Sequence, residues 1–398
     1  MMMRVARILT QKYDVVCTNP PYMGGSGMNA TLSDFIKKNY TDYKSDLFSA
    51  FVVKCTKMAK LEGYLGFLTP YVWMFIQSYE KMRNYIYNTR TIETLIQFEY
   101  SAFEEATVPI CTFVLKNSKV RKNGAYLRLT EFRGGMEVQR QKALEAISNH
   151  KCGFYYESNA ENFSKIPGSP VAYWVSENFV RAFENKTIGE LAKPRQGLAT
   201  GCNDIFIRQW YEVKIENIKF DAHSISDSVK SKKKWFPYNK GGEFRKWYGN
   251  NDFVVNWEND GLLIRNFKNE NGKLRSRPQN TQFYFIESVS WSLVSSGSAA
   301  FRYKPYGYIF DIAGMSCFSD NMLYYLLGFT NTPISMEMLS VLAPTINFQA
   351  GDIANLPVAV NKEKQPIIEK LVKENIALSK ADWDSFETSW DFEGHSLV

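Results

Sequence analysis

The chain has 398 residues, 45% hydrophobic and 22% charged, with 48 basic against 41 acidic side chains and a net charge of +7. Such a composition excludes a disordered chain, and without a run of about 18 apolar residues it excludes a helical membrane span. The length calls for two domains, and the mild positive charge admits a polyanionic partner without demanding one.

In chain order, the opening Met-Met-Met-Arg-Val-Ala-Arg leads into no signal-peptide apolar core. Val15-Val16-Cys17 then reads as a buried strand over residues 13–18. It stops at Asn19-Pro20-Pro21-Tyr22, because two prolines cannot continue a sheet ladder. Gly24-Gly25-Ser26-Gly27 follows as a flexible cover or a plain mobile turn. Apolar residues at helical spacing predict a helix over 46–61, capped by Ser45 or Asp46 and ended by Gly63. A short buried strand over 64–68 halts at Thr69-Pro70. A helix near 78–88, a strand at 92–98 and a strand at 108–115 come next, the last pairing as a hairpin with Tyr126–Thr130. This alternation predicts half of a doubly wound α/β sheet. Residues 136–186 read as a connector with a helix near 137–148. From 187 to 360, short strands rich in Gly, Asn and aromatics predict a second, β-rich domain. Residues 361–398 form a tail, amphipathic and helical from Lys362 to Lys380.

Six cysteines without a Cys-x-x-Cys pair and three dispersed histidines, His150, His223 and His395, predict no metal site. They suit a reduced, cytoplasmic protein with no membrane association, its cysteines mostly acting as small core residues.

The chemistry concentrates at Asn19-Pro20-Pro21-Tyr22. In an open α/β sheet, ligands bind beyond the carboxyl ends of strands. An amide side chain, a proline carbonyl and an aromatic ring placed there offer two acceptors beside a flat face. That suits a planar molecule with an exocyclic amino group. The four residues resemble motif IV of the S-adenosylmethionine-dependent amino-methyltransferases, especially those acting on N6 of adenine. The resemblance implies that Asn19 and the Pro20 carbonyl accept from the amino group, localise its lone pair and stabilise the positive charge that develops during transfer. It implies that Pro21 shapes the corner and that Tyr22 stacks on a base flipped out of the duplex. The segment from Phe98 to Leu115 resembles motif VIII, which makes Phe103 the expected second stacking ring, with Phe98 and Tyr100 as competitors.

Beyond residue 200, cations and aromatics interleave. Lys232, Lys233, Lys234, Lys240, Arg245, Lys246, Trp247, Tyr248, Arg275, Arg277 and Arg302 form the expected DNA-binding set, supplemented by Arg265, Lys273 and Lys304. Gly197 to Arg208, Ala343 to Pro357 and the Trp-rich Asp382 to Phe392 narrow the resemblance to the PglX family, adenine methyltransferases of BREX phage-defence systems. That resemblance implies the C-terminal half of a methyltransferase sheet at 1–135, a DNA target-recognition domain at 187–360, and double-stranded DNA as partner. Family members are longer at both ends. The twelve residues before Tyr13 hold no glycine and no acid, so the Gly-rich S-adenosylmethionine loop is expected on a missing N-terminal half, with other defence proteins as further partners. Competing readings are a DNA-binding fragment without catalysis and a glutamine-directed protein methyltransferase.

Overall fold

The computed structural model describes residues 7, 8, 10–100, 108–295, 297–344 and 346–395. Its contacts divide the chain into two units, Met1–Phe183 and Glu184–Val398.

The first unit is built on a six-stranded mixed sheet. Its strands are β1 (Tyr13–Thr18), β2 (Ala59–Pro70), β3 (Thr91–Gln97), β4 (Ile110–Lys116), β5 (Gly124–Arg128) and β6 (Tyr155–Ser158), in spatial order β1-β2-β4-β3-β5-β6. β1 runs parallel to β2, while β4 is antiparallel to both β2 and β3. β1, β2 and β3 therefore all point the same way, and their carboxyl ends share one rim. Helices α1 (Ala30–Asn39), α2 (Leu47–Met58), α3 (Glu80–Thr89) and α4 (Gly135–Ser148) connect or flank them.

Local chemistry explains α2. Asp46 caps it by accepting from the Phe48 N–H at 3.1 Å, and Phe48, Val52 and Cys55 recur on one face and are buried. The helix stops at Met58, and β2 starts at once. The predicted break at Gly63 is instead a bulge inside β2, where pairing with β1 jumps from Tyr13–Ala59 to Val15–Tyr64. Gly63 is needed there, because a Cβ would stand 2.7 Å from the Asp14 carbonyl oxygen.

Three expectations are corrected by this sheet. β1 is an edge strand, and Val15 is 57% exposed with Cys17 also exposed, so the strand is apolar without being buried. β5 makes no hairpin with β4; both edges of β4 are occupied by β2 and β3, so β5 pairs in parallel with the outer edge of β3. The stretch expected as a connector supplies β6 against β5, and its Phe163, Val171 and Tyr173 join the core of this unit. Tyr173 stacks on Tyr126 with centroids 4.8 Å apart. Burying each ring contributes about 1.5–3 kcal/mol. Of the six free thiols, Cys55, Cys111 and Cys317 are buried.

The second unit carries two four-stranded sheets. One joins β8 (Ile207–Gln209), β9 (Trp235–Asn239), β10 (Phe253–Asn256) and β13 (Ile309–Phe310) in the order β13-β9-β10-β8. The other joins β7 (Lys193–Arg195), β11 (Ser288–Ser292), β12 (Phe301–Lys304) and β14 (Gly314–Phe318) in the order β12-β11-β14-β7. Phe236, Tyr238, Trp257, Tyr284 and Phe310 fill the main core. Helices α5 (Glu258–Arg265), α6 (Leu323–Thr330), α7 (Pro333–Leu342) and α8 (Gln365–Asp384) complete it. The amphipathic tail thus forms α8, which buries Val372 and Ile376. No helix among the described residues is long and apolar enough to cross a membrane.

Candidate active site and basic surface

The end of β1 leaves the sheet at Asn19. Asn19 and Pro21 are exposed, Pro20 is buried, and Tyr22 is 39% exposed. Among the described residues, neither the Asn19 amide nor the Pro20 carbonyl is engaged by a hydrogen-bond partner. Both acceptors thus lack a partner among the described residues, and the Asn19 side chain is exposed at the rim.

The loop behind them is held firmly. Asp46, the cap of α2, also accepts from the Met23 N–H at 2.9 Å, and the Leu47 N–H donates to the Met23 carbonyl at 3.0 Å. One carboxylate therefore ties the corner to the start of a buried helix. The Tyr22 hydroxyl donates to the Leu68 carbonyl at 3.3 Å, and the ring meets Phe48 edge-on at 6.5 Å. Partial burial, then the nearby Cys111, push the Tyr22 phenol above its usual pKa, so it stays protonated and keeps this contact. Gly25 to Gly27 form an exposed single turn before α1.

Phe103 lies outside the described residues. Of its competitors, Phe98 packs beside the small cluster around Leu127 and Leu129. Tyr100, beyond the end of β3, is 57% exposed on the rim shared with Asn19.

The basic set divides sharply. Arg302 is fully buried, and its guanidinium donates to the Glu243 and Arg245 carbonyls at 3.3 and 3.2 Å and to the Ser292 hydroxyl at 3.0 Å. Burial holds its pKa down to about 10. Lys304 is equally buried and donates to the Gly249 carbonyl at 2.9 Å, the Asn250 carbonyl at 3.0 Å and Asn251 Oδ1 at 2.5 Å. Burial, then Arg302, pull its pKa well below the lysine norm, with Asp252 opposing.

The remaining members mostly bind inward too. Lys240 pairs with buried Asp311 at 2.7 Å. Arg245 bonds the Tyr248 carbonyl at 2.9 Å, pairs with Asp382 and lies over the Trp383 ring at 5.0 Å. Lys246 donates to the Asn331 carbonyl at 3.0 Å, and Lys233 donates to the Glu216 carbonyl. The backbone of Trp247 ladders onto Phe301 and Tyr303, and Tyr248 is buried. The expectation that this whole segment faces a nucleic acid is therefore corrected: residues 245–248 fasten α8 to the second sheet. Their cations were drawn inward because strand ends and turns expose carbonyls that need donors. Lys232, Lys234, Arg275 and Arg277 are exposed.

The comparisons agree with the motifs. Residues 3–103 match the Eco57I restriction-modification methylase family. The adenine-specific methyltransferase PglX of Lacticaseibacillus casei (strain Zhang) is 36% identical across 100% of this chain and 33% of its own length. The adenine-specific methyltransferase BrxX of Escherichia coli O9:H4 (strain HS) is 36% identical across 99% of this chain and 31% of its own. The chain thus spans about a third of these relatives. In fold it resembles the DNA complex of the Type IIL restriction-modification enzyme MmeI, with TM-score 0.58 and 12% identity over 95% of this chain and 50% of that one. The Type ISP enzyme LlaGI, bound to a DNA substrate mimic, gives TM-score 0.53 and 12% identity over 95% and 36%. From its strand-end motif to its Trp-rich tail, the chain is similar to the PglX family of adenine-specific methyltransferases.

Proposed function

We propose that this chain supplies the acceptor-base corner and the DNA-reading region of a site-specific N6-adenine DNA methyltransferase. The observation that carries the reading is the Asn19–Tyr22 corner: two free acceptors beside a half-exposed ring, clamped by Asp46 at the carboxyl rim of a sheet.

The chain's own chemistry follows from that corner. A flipped adenine presents its amino group to Asn19 Oδ1 and the Pro20 carbonyl, while Tyr22 covers one face of the purine. Two accepted hydrogen bonds draw the lone pair out of the ring and strengthen as the nitrogen becomes positive, so they favour the transition state over the ground state. Pro20 and Pro21 fix the carbonyl's direction, and Asp46 keeps the loop from relaxing away. No histidine is required. On the far side of the ring, Tyr100 is the described candidate for stacking alongside the expected Phe103. The methyl donor in this reading is S-adenosylmethionine, which supplies an electrophilic methyl group. The described residues before β1 offer no glycine and no acid to hold it, so its binding is assigned to none of them.

The partner in this reading is double-stranded DNA, the setting is phage defence of the BREX kind with its other proteins, and the compartment is the cytoplasm. The supports are the similarity to proteins named PglX and BrxX and the fold shared with DNA-bound restriction-modification enzymes. The test is transfer of labelled methyl from S-adenosylmethionine to adenine in duplex DNA by the protein carrying this chain at the length of its relatives. Asn19→Ala should cut transfer by about 10²–10³ and spare DNA affinity. Equal losses in both would remove the assigned role.

A further inference from the structure

We propose that residues 267–277 form a DNA-inserting finger, in which Leu274 wedges against a base step while Lys268, Lys273, Arg275 and Arg277 neutralise the flanking phosphates. The proposal rests on the DNA methyltransferase reading and deepens it by assigning where the duplex is gripped.

The segment is a built hairpin. Lys268 and Leu274 form an antiparallel bridge, the Asn269 N–H donates to the Lys273 carbonyl at 2.8 Å, and the Arg275 N–H donates to the Phe267 carbonyl at 2.9 Å. Asn269 Oδ1 closes the tip by accepting from the Asn271 and Lys273 N–H groups at 3.1 and 2.9 Å. Gly272 takes the left-handed position the turn needs, at φ 74°.

The base of the finger is anchored in the core of the second unit. Phe267 packs on Phe206 with centroids 5.2 Å apart, and buried Ser276 donates to the Ile264 carbonyl. Arg277 and Ala199 exchange backbone hydrogen bonds at 2.7 and 3.1 Å. Gly201, at φ 77°, lies so close that a Cβ would be 2.8 Å from the Arg275 carbonyl carbon. Asn280 donates to the Gln196 carbonyl at 2.9 Å, and Gln279 donates to the Gly197 carbonyl at 3.1 Å. The Gly-rich stretch from Gly197 is thus the seat on which the finger stands.

This support holds an apolar side chain among cations. Leu274 is 55% exposed. Around it are four exposed cations and one acid, Glu270, and among the described residues none of the four is ion-paired. Elsewhere in this unit Lys240, Lys304, Arg245 and Arg302 are committed to internal partners. A duplex fits both features, because phosphates take the cations and a parted base step takes the apolar wedge.

The experiment uses the chain with a mixed-sequence DNA duplex carrying 2-aminopurine, read by anisotropy across a salt series and by 2-aminopurine emission. Arg275→Gln with Arg277→Gln should lower the slope of log affinity against log salt by about 2, at roughly 0.9 per phosphate contact. Leu274→Ser should leave that slope unchanged and abolish most of the emission rise on binding. All three side chains are exposed, so an unchanged melting temperature verifies the fold. Wild-type slope and emission in both variants, with wild-type binding intact, overturn the finger and leave the methyltransferase reading standing. A wild-type chain that ignores duplex DNA overturns both.

Discussion

The Asn19–Tyr22 corner and the 232–248 segment look equally functional as sequence, yet folding treats them in opposite ways. At the corner, Asn19, Pro21 and Tyr22 are exposed while Pro20 is buried, and the Asn19 amide and the Pro20 carbonyl have no partner among the described residues. In the basic segment, Lys240, Arg245 and Lys246 bind partners inside their own unit, and Tyr248 is buried. The difference lies in what carries the signal. The corner is specified by backbone chemistry, since prolines end a strand wherever they occur. A lysine's destination depends on which carbonyls later approach it, and its long stem reaches many of them.

The comparison breaks most decisively at Asn19. Asn19→Ala should cost about 10²–10³ in methyl transfer, the scale of losing one preorganised polar group at the reacting atom, while anisotropy shows DNA affinity unchanged. A proportionate loss of both would place Asn19 with the structural residues. On the other side, Lys304→Ala should behave as a core mutation. It strands three oxygen acceptors and should destabilise the chain by roughly 3 kcal/mol in urea unfolding, whereas a phosphate-binding lysine would leave the midpoint in place.

Gly201→Ala sharpens the contrast within the second unit. It forces a side chain into the left-handed region and against the finger's backbone, so a stability loss of about 1–3 kcal/mol is expected, together with weaker duplex binding. Asp46→Ala probes how far the corner depends on its clamp. Losing the cap costs about 1 kcal/mol of stability. A fall in turnover larger than that in thermal stability would mark Asp46 as a positioning residue; matched falls would make it a helix cap alone. The smallest effects belong to Lys232 and Lys234. Each substitution to alanine should reduce the salt slope of DNA binding by about 1 without moving the melting temperature. Lys233→Ala, whose ammonium reaches the Glu216 carbonyl, should leave the slope closer to wild type.

Much of the first unit could be read in advance because its signals are local. The strand ending at Thr18, the cap at Asp46 and the apolar face of α2 each depend on neighbours within a few residues. The order of the sheet could not be read that way. Whether β5 pairs with β4 or β3 is decided by which edges remain open after β2 and β3 have taken both sides of β4. Val15 and Cys17 look like core residues by composition, yet they line an edge strand.

The sequence by itself determined that a strand ends in an amide, a carbonyl and a ring, because proline chemistry and apolar runs act over a few bonds. Only the tertiary structure decided which cations face solvent, which hold the unit together, and that a leucine stands exposed on an anchored hairpin. Those outcomes turn on competition for buried carbonyls between residues tens of positions apart, such as Lys304 with Gly249 and Arg277 with Ala199.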